Sequence, residues 1–184
     1  MKLKFVACLL ALTPISLAVS ATPPASPYVG QEGRAIKSLS AEDVNGYLSG
    51  KGMGFAKAAE LNGYAGPAHV LELVTQLGLT PEQQARTQAL FAAMESKAIS
   101  LGRRLIEEER KLDRLFATKS VTPPTLSASL SEIGALRAKL RGTHLEAHLA
   151  QVEILTREQN VQYARLRGYG NSDAHGGRGT QHQH

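Results

Sequence analysis

Leu-Thr-Pro-Glu-Gln spans residues 79–83 and Leu-Thr-Arg-Glu-Gln spans residues 155–159, so one Leu-Thr-x-x-Gln motif occurs twice in the chain. In both copies the threonine is a typical helix N-cap, and the glutamine three residues later can hydrogen-bond to the backbone amide of that cap. In the first copy Pro81 takes the first helical position, where its missing N–H is not needed. The repeat therefore predicts two helix starts, each with a capping box, at Leu79, Thr80 and Gln83 and at Leu155, Thr156 and Gln159.

The longest periodic stretch begins directly after the first motif and extends from residue 81 to about residue 117. Its apolar residues recur seven apart, at Phe91, Ala98, Leu105 and Leu112. Thr122 and the two prolines after it indicate a chain reversal, and a returning helix is expected from about residue 125 to residue 155. One stripe of this second helix carries leucines and an isoleucine and continues through His144 and His148. These patterns predict an all-α fold built on a long antiparallel helical hairpin.

The first residues have the features of a secretory signal peptide. Two lysines precede an apolar run at residues 5–19, and Val19-Ser20-Ala21 offers a small-residue cleavage site. We therefore expect residues 1–21 to be removed near Ala21 on export across the inner membrane, which leaves a periplasmic chain without membrane insertion. Residues 22–45 predict a flexible N-terminal arm, residues 46–170 the helical domain, and residues 171–184 a disordered tail rich in Gly and His.

Charge and cysteine content argue against several classes of function. Cleavage removes two lysines and no acid, which lowers the formal net charge from +5 to +3, and both signs are interspersed. That balance disfavours a nucleic-acid partner. Cys8 lies inside the expected signal peptide, and the sequence has no Gly-x-Ser-x-Gly, phosphate-binding loop or His-Glu-x-x-His motif. We predict a binding protein with no enzymatic activity and no required cofactor.

Taken together, the signal peptide, the helical chain, the hairpin and the repeated motif resemble the Spy/CpxP family of periplasmic stress proteins and its heavy-metal-resistance and sensor relatives. The resemblance covers about residues 46–170, and residues 53–71 and 155–169 are most similar to the branch with heavy-metal sensors and Spy-like refolding chaperones. It implies a small four-helix hook that pairs into a cradle-like homodimer. It also implies ATP-independent binding of unfolded or misfolded envelope proteins. A regulatory role, in which the protein restrains a sensor kinase or an anti-sigma factor, stays open.

Two sets of residues correspond to the two functions that the resemblance implies. For client binding, apolar residues beside the helical seam widen the apolar face: Ile99, Ile106 and Phe116. For metal binding, His144 and His148 lie four apart on one helix, so both imidazoles can face one Zn, Cu, Ni or Co ion. His69 and Met53 are further candidate ligands if the fold brings them close.

The metal alternative departs from the pattern of known sensors. By the spacing of the repeated motif, the ligand positions of those relatives correspond here to Val70, Val74, Ala147 and Gln151, none of which is a strong ligand. His69 and His148 are each one residue away. The tail adds three histidines on a glycine-rich segment, at His175, His182 and His184. The mismatch favours an envelope-stress chaperone, with a heavy-metal sensor or resistance protein as the alternative.

Overall fold

A computed structural model describes residues 25–169 of the 184-residue chain. Residues 25–32 form turns and belong to a unit separate from the helical unit, which begins at Gly33. Within the described range the helical unit contains α1 (Ala41–Leu48), α2 (Lys57–Glu60), α3 (Pro67–Glu72), α4 (Val74–Leu77), α5 (Pro81–Ala117), α6 (Pro123–Val152) and α7 (Arg157–Leu166). The expected signal peptide and the histidine-containing tail lie outside the described residues.

The hairpin of α5 and α6 dominates the fold and confirms the all-α prediction. As residue numbers rise along α5, the numbers of their partners on α6 fall: Thr87 contacts Gln151, and Arg104 contacts Glu132. The pairing is therefore antiparallel. The second helix begins two residues earlier than expected because Thr122 forms its own capping box with Thr125.

The segment before the hairpin departs from the expectation of a flexible arm at residues 22–45. Ile36 and Leu39 are only 3% and 5% exposed and join the main apolar core. The Ser38 hydroxyl donates to Glu109 of α5 at 2.8 Å. Helix α1 then begins at Ala41 behind a capping box formed by its N-cap serine and the aspartate three residues later. Polar composition without periodicity predicts a flexible arm here, whereas the capping box and the apolar pair Ile36 and Leu39 are each too short to show a periodic pattern.

Helix α1 crosses α5 with its backbone in direct contact, and Gly102 makes this possible. A Cβ atom at Gly102 would lie 2.4 Å from the carbonyl oxygen of Tyr47 in α1. Any larger residue at this position must push the two helices apart. Gly102 therefore fixes how closely the N-terminal segment covers the hairpin.

The two Leu-Thr-x-x-Gln motifs are in contact with each other. Each forms the predicted capping box, with Thr80 accepting from the Gln83 amide at 3.1 Å and Thr156 accepting from the Gln159 amide at 3.2 Å. The two glutamine side chains also exchange hydrogen bonds, of 2.8 Å from Gln83 Nε2 to Gln159 Oε1 and 3.0 Å in the reverse direction. Each motif therefore starts its own helix and joins the two corners of the fold. This arrangement assigns the motif a structural role.

Candidate functional site

A cleft of about 540 Å³ opens between the hairpin and the segment that contains α2 and the start of α3. Its apolar walls include Phe91 and Leu61, and its floor is formed partly by glycines of residues 50–54. Seven side chains able to ligate a metal ion line it: His69, His144, His148, Met53, Met94, Glu60 and Glu95. The fold thus brings together the four candidate ligands expected from the described part of the sequence, two from α6, one from α3 and one from the glycine-rich segment.

Glu60, the last residue of α2, is a buried carboxylate beside this cleft. Its Oε1 accepts hydrogen bonds from the hydroxyls of Tyr163 at 2.5 Å and Tyr169 at 3.1 Å. Its Oε2 is buried without a hydrogen-bond partner. Burial, together with the hydrogen bond to Glu60, raises the pKa of the Tyr163 hydroxyl, so that hydroxyl remains a donor at neutral pH. One carboxylate oxygen is therefore well satisfied and the other is not.

The tautomer of the neutral His148 ring follows from its hydrogen-bond partner. Its Nδ1 lies 2.8 Å from the carbonyl oxygen of Tyr64. A carbonyl only accepts, so Nδ1 carries the proton and the neutral ring has its lone pair on Nε2. Gly66 borders this ring so closely that a Cβ there would lie 2.9 Å from Nε2. Metal-binding histidines commonly have their second nitrogen held in this way by a carbonyl or carboxylate.

His69 has the same tautomer for a different reason. Its Nε2 lies 3.4 Å from Nη2 of Arg167, and arginine has only donors, so Nε2 is the unprotonated nitrogen. The proton on Nδ1 then faces Oε1 of Glu60 at 3.3 Å. In many metal sites a histidine binds the metal ion with one ring nitrogen and donates the proton on the other to a carboxylate. In His69 the Arg167 guanidinium takes the place of the metal ion.

His144 is more deeply buried than the other two histidines. It is 3% exposed, stacks on Phe55 at a ring-centroid distance of 6.0 Å, and its Nε2 has no hydrogen-bond partner. Burial, and secondarily the nearby His148, lowers the pKa of His144. The ring is therefore neutral at pH 7, which is the form that ligates metals.

The positions that correspond to sensor ligands do not line the cleft. Of the four positions that correspond to ligands in metal sensors, Val70 and Ala147 are buried, Val74 is partly buried, and Gln151 is buried with its amide donating to Thr87 at 3.1 Å. The expected one-residue offset is thus real, because His69 and His148 line the cleft and these four residues do not. The tail residues His175, His182 and His184 lie outside the described range.

The three residues expected to bind clients differ in exposure. Ile106 is 4% exposed and belongs to the main core, so it is not available at the surface of this chain. Ile99 is partly buried, and Phe116 is 55% exposed. Helical periodicity places Ile106 on a stripe beside the seam but does not show that another helix covers this stripe. The sequence patterns do not predict α1, which belongs to the same core.

Glu60 and the three side chains around it, Tyr163, Arg167 and Tyr169, are not singled out by any sequence motif. They fall in the two stretches most similar to heavy-metal sensors and refolding chaperones, residues 53–71 and 155–169. That shared location is the signal from which they could have been found. Their contacts join residues about 100 apart, which sequence spacing cannot reveal.

The donor atoms fit a borderline transition metal, but they are not assembled around a vacant position. In the described residues no group of three or more His, Cys, Asp or Glu side chains is placed to hold a metal ion. Arg167 approaches Glu60 Oε1 to 3.5 Å with its Nε. An ion would therefore bind through histidine Nε2 atoms with methionine sulfur, or would bind at Glu60 only after Arg167 moves.

Comparison with known proteins places this cleft in a family context. A family model described as heavy-metal resistance matches residues 56–162, which includes α2 through most of α7. No curated protein and no solved structure matches the chain. No helix in residues 25–169 has the length and apolar character needed to cross a membrane. Since the matched region covers more than half of the sequence, the chain belongs to the heavy-metal resistance family, within the Spy/CpxP-like superfamily.

Proposed function

We propose that this protein acts in heavy-metal resistance in the periplasm by binding a borderline transition-metal ion, such as Zn, Cu, Ni or Co, in the cleft. The residues that would hold the ion, once their side chains move closer together, are His144, His148 and His69 through Nε2, with Met53 or Met94 as sulfur donors. The observation that carries the proposal is the set of three histidines that line one cleft, in which His144 Nε2 has no hydrogen-bond partner and His69 Nε2 faces only the Arg167 guanidinium, at 3.4 Å. Two of these rings are held at Nδ1 in the manner of metal ligands.

Burial and charge support the same proposal. His144 and His148 are 3% and 7% exposed, and they lie one helical turn apart on α6. A buried imidazole nitrogen without a partner is costly, and coordination of a metal ion removes that cost. The pKa of His144 is lowered, so no proton has to be displaced from it at neutral pH. Metal binding at His144 would therefore give a buried nitrogen its missing partner without release of a proton.

Titration calorimetry with Zn, Cu, Ni and Co tests the proposal on the chain from Thr22. We expect one ion per chain with a dissociation constant of about a micromolar or less. A His144→Ala/His148→Ala variant should weaken binding at least about a hundredfold, because both imidazole donors are lost. The matched control is His175→Ala/His182→Ala/His184→Ala, which removes three histidines and leaves all residues that line the cleft unchanged. Equal affinity in the two variants would refute the assignment of the site.

A second candidate function, ATP-independent binding of unfolded envelope proteins by a homodimer, is favoured by exposed apolar side chains on the hairpin. Phe116, Leu130 and Leu149 are all more than half exposed. Such residues would bind the apolar segments of an unfolded client. The purified protein should suppress aggregation of a reduced, unfolding client near equal molar ratio, and Phe116→Ser/Leu149→Ser should reduce that effect. Absence of suppression at several-fold excess would rule this candidate out.

A further inference from the structure

We propose that Arg167 serves as a built-in cation at the Glu60–His69 pair, and that a metal ion entering the cleft displaces it and breaks the contacts of Arg167 and the Tyr169 hydroxyl with Glu60. This inference rests on the proposed metal-binding function. It assigns to the same site a conformational response of residues 167–169, which directly follow α7.

The position of the guanidinium supports the first part. Its Nε lies 3.5 Å from Glu60 Oε1, and its Nη2 lies 3.4 Å from His69 Nε2. Arginine is charged at every accessible pH, so it neutralises the buried carboxylate permanently. A divalent ion at Glu60 and His69 would need the same two atoms. The guanidinium and the ion therefore compete directly.

The weakness of these contacts supports displacement. Both distances are at the long end for a hydrogen bond, and Arg167 Nε is buried without a hydrogen-bond partner. A metal–nitrogen bond to His69 and a charge at Glu60 would each be stronger than the contact replaced. The other carboxylate oxygen, Glu60 Oε2, has no hydrogen-bond partner and lies 3.6 Å from His148 Nδ1, so it can also take part.

The chain around Arg167 is suited to move as one short segment. Helix α7 ends at Leu166, and Gly168 has a φ of +76°, a conformation that glycine adopts without strain. Tyr169 donates to the same Glu60 oxygen that Arg167 approaches, at 3.1 Å. Tyr163 is fully buried within α7 and belongs to the second apolar core, against which the partly buried Tyr169 packs. Loss of the Glu60 contacts would therefore free the Arg167 side chain and leave the Tyr169 hydroxyl without its acceptor, while Tyr163 stays in place.

Metal titration of Arg167→Gln tests the competition, with Arg165→Gln as the matched control. Arg165 is exposed, lies outside the cleft, and its replacement changes the net charge by the same amount. If the closed arrangement dominates about ten to one, Arg167→Gln should bind Zn about tenfold more tightly than wild type, and Arg165→Gln should not. Equal Zn affinity in the two variants, with binding retained in wild type, overturns the role of Arg167 and leaves the proposed function intact.

Wild-type protein provides a second readout that does not depend on the folding of a variant. Tyrosine emission should change on addition of Zn, because Tyr169 leaves its carboxylate acceptor and the chain has no tryptophan to mask the signal. The Arg167 side-chain Nε–H resonance should shift in the same titration. Zn binding without either change overturns the displacement. If wild type and Arg167→Gln both fail to bind Zn, Cu, Ni and Co, the proposed function fails and this inference fails with it.

Discussion

The substitution Gly66→Ala adds one methyl group at the wall of the cleft, and its consequences can be worked out from local distances. Gly66 has φ −91° and ψ 140°, which alanine adopts without strain. From the backbone alone the change should stabilise the fold by about 0.4–1 kcal/mol, because it restricts the unfolded chain. The added Cβ, however, would lie 2.8 Å from Cε1 and 2.9 Å from Nε2 of His148, and 3.3 Å from Glu60 Oε2.

The His148 ring cannot yield to this methyl group without loss. Its Nδ1 is hydrogen-bonded to the Tyr64 carbonyl, a contact that contributes about 0.5–1.5 kcal/mol. Overpacking of this kind costs about 1–3 kcal/mol. The steric term exceeds the backbone term, so we expect Gly66→Ala to lower the free energy of unfolding by about 1–2 kcal/mol. It should also weaken Zn binding at least about tenfold, because Nε2 of His148 is displaced.

Urea unfolding and Zn calorimetry measure the two effects, with Gly52→Ala as the control. Gly52 lines the same cleft, but a Cβ there meets only His144 Nδ1, at an ordinary contact distance of 3.9 Å. Gly52→Ala should therefore leave stability and Zn affinity close to those of wild type. If Gly66→Ala matched this control in both measurements, the placement of His148 against residue 66 would be wrong.

Three further predictions concern the hairpin, the repeated motif and pH. Gly102→Ala should destabilise the protein by about 1–3 kcal/mol because its Cβ meets the backbone of α1. Gly134→Ala, in open space within α6, should instead stabilise it by about 0.5–1 kcal/mol. Urea unfolding measures both changes, and two changes of equal sign would contradict the close crossing of α1 and α5. Gln83→Ala and Gln159→Ala should each destabilise, and the double variant should show a coupling energy of about 0.5 kcal/mol or more in a double-mutant cycle; strict additivity would contradict the exchange of hydrogen bonds. Burial lowers the pKa of His144 below its unfolded value of 6.5, so the unfolded state takes up a proton on this ring at a higher pH than the folded state does. The free energy of unfolding is therefore at its full value above pH 6.5 and decreases as the pH falls below it. The decrease from this group is at most about 1.4 kcal/mol per pH unit. His144→Phe should remove that part of the slope measured by unfolding at pH 5 to 7, and an unchanged slope would contradict it.

The helices of the hairpin were predictable from the sequence because the patterns that define them are local. The capping boxes and the stop before the first motif give the start of α5 at Pro81, and the seven-residue apolar repeat gives its length. The i, i+4 spacing of His144 and His148 correctly places both on the inner stripe of α6. These features depend on residues within a few helical turns of each other, so one sequence is sufficient to find them.

The site itself depends on contacts between distant residues. Glu60 meets Tyr163 across 103 positions, and Arg167 meets His69 across 98. No periodicity encodes such pairs. The cover formed by Ile36 and Leu39 is a similar case, since two apolar residues in a polar segment indicate burial only after their partners on the hairpin are known.

X-ray absorption spectroscopy of the Zn-loaded protein tests the central claim most directly, because it identifies the atoms around the ion. The sample is the chain from Thr22 with His175, His182 and His184 replaced by alanine, so that only cleft histidines can contribute. We predict imidazole scattering from at least two histidines, with Zn–N distances of about 2.0–2.1 Å, and its loss in the His144→Ala/His148→Ala background. A shell of oxygen atoms alone, or a spectrum unchanged by loss of the two histidines, would contradict metal binding in the cleft.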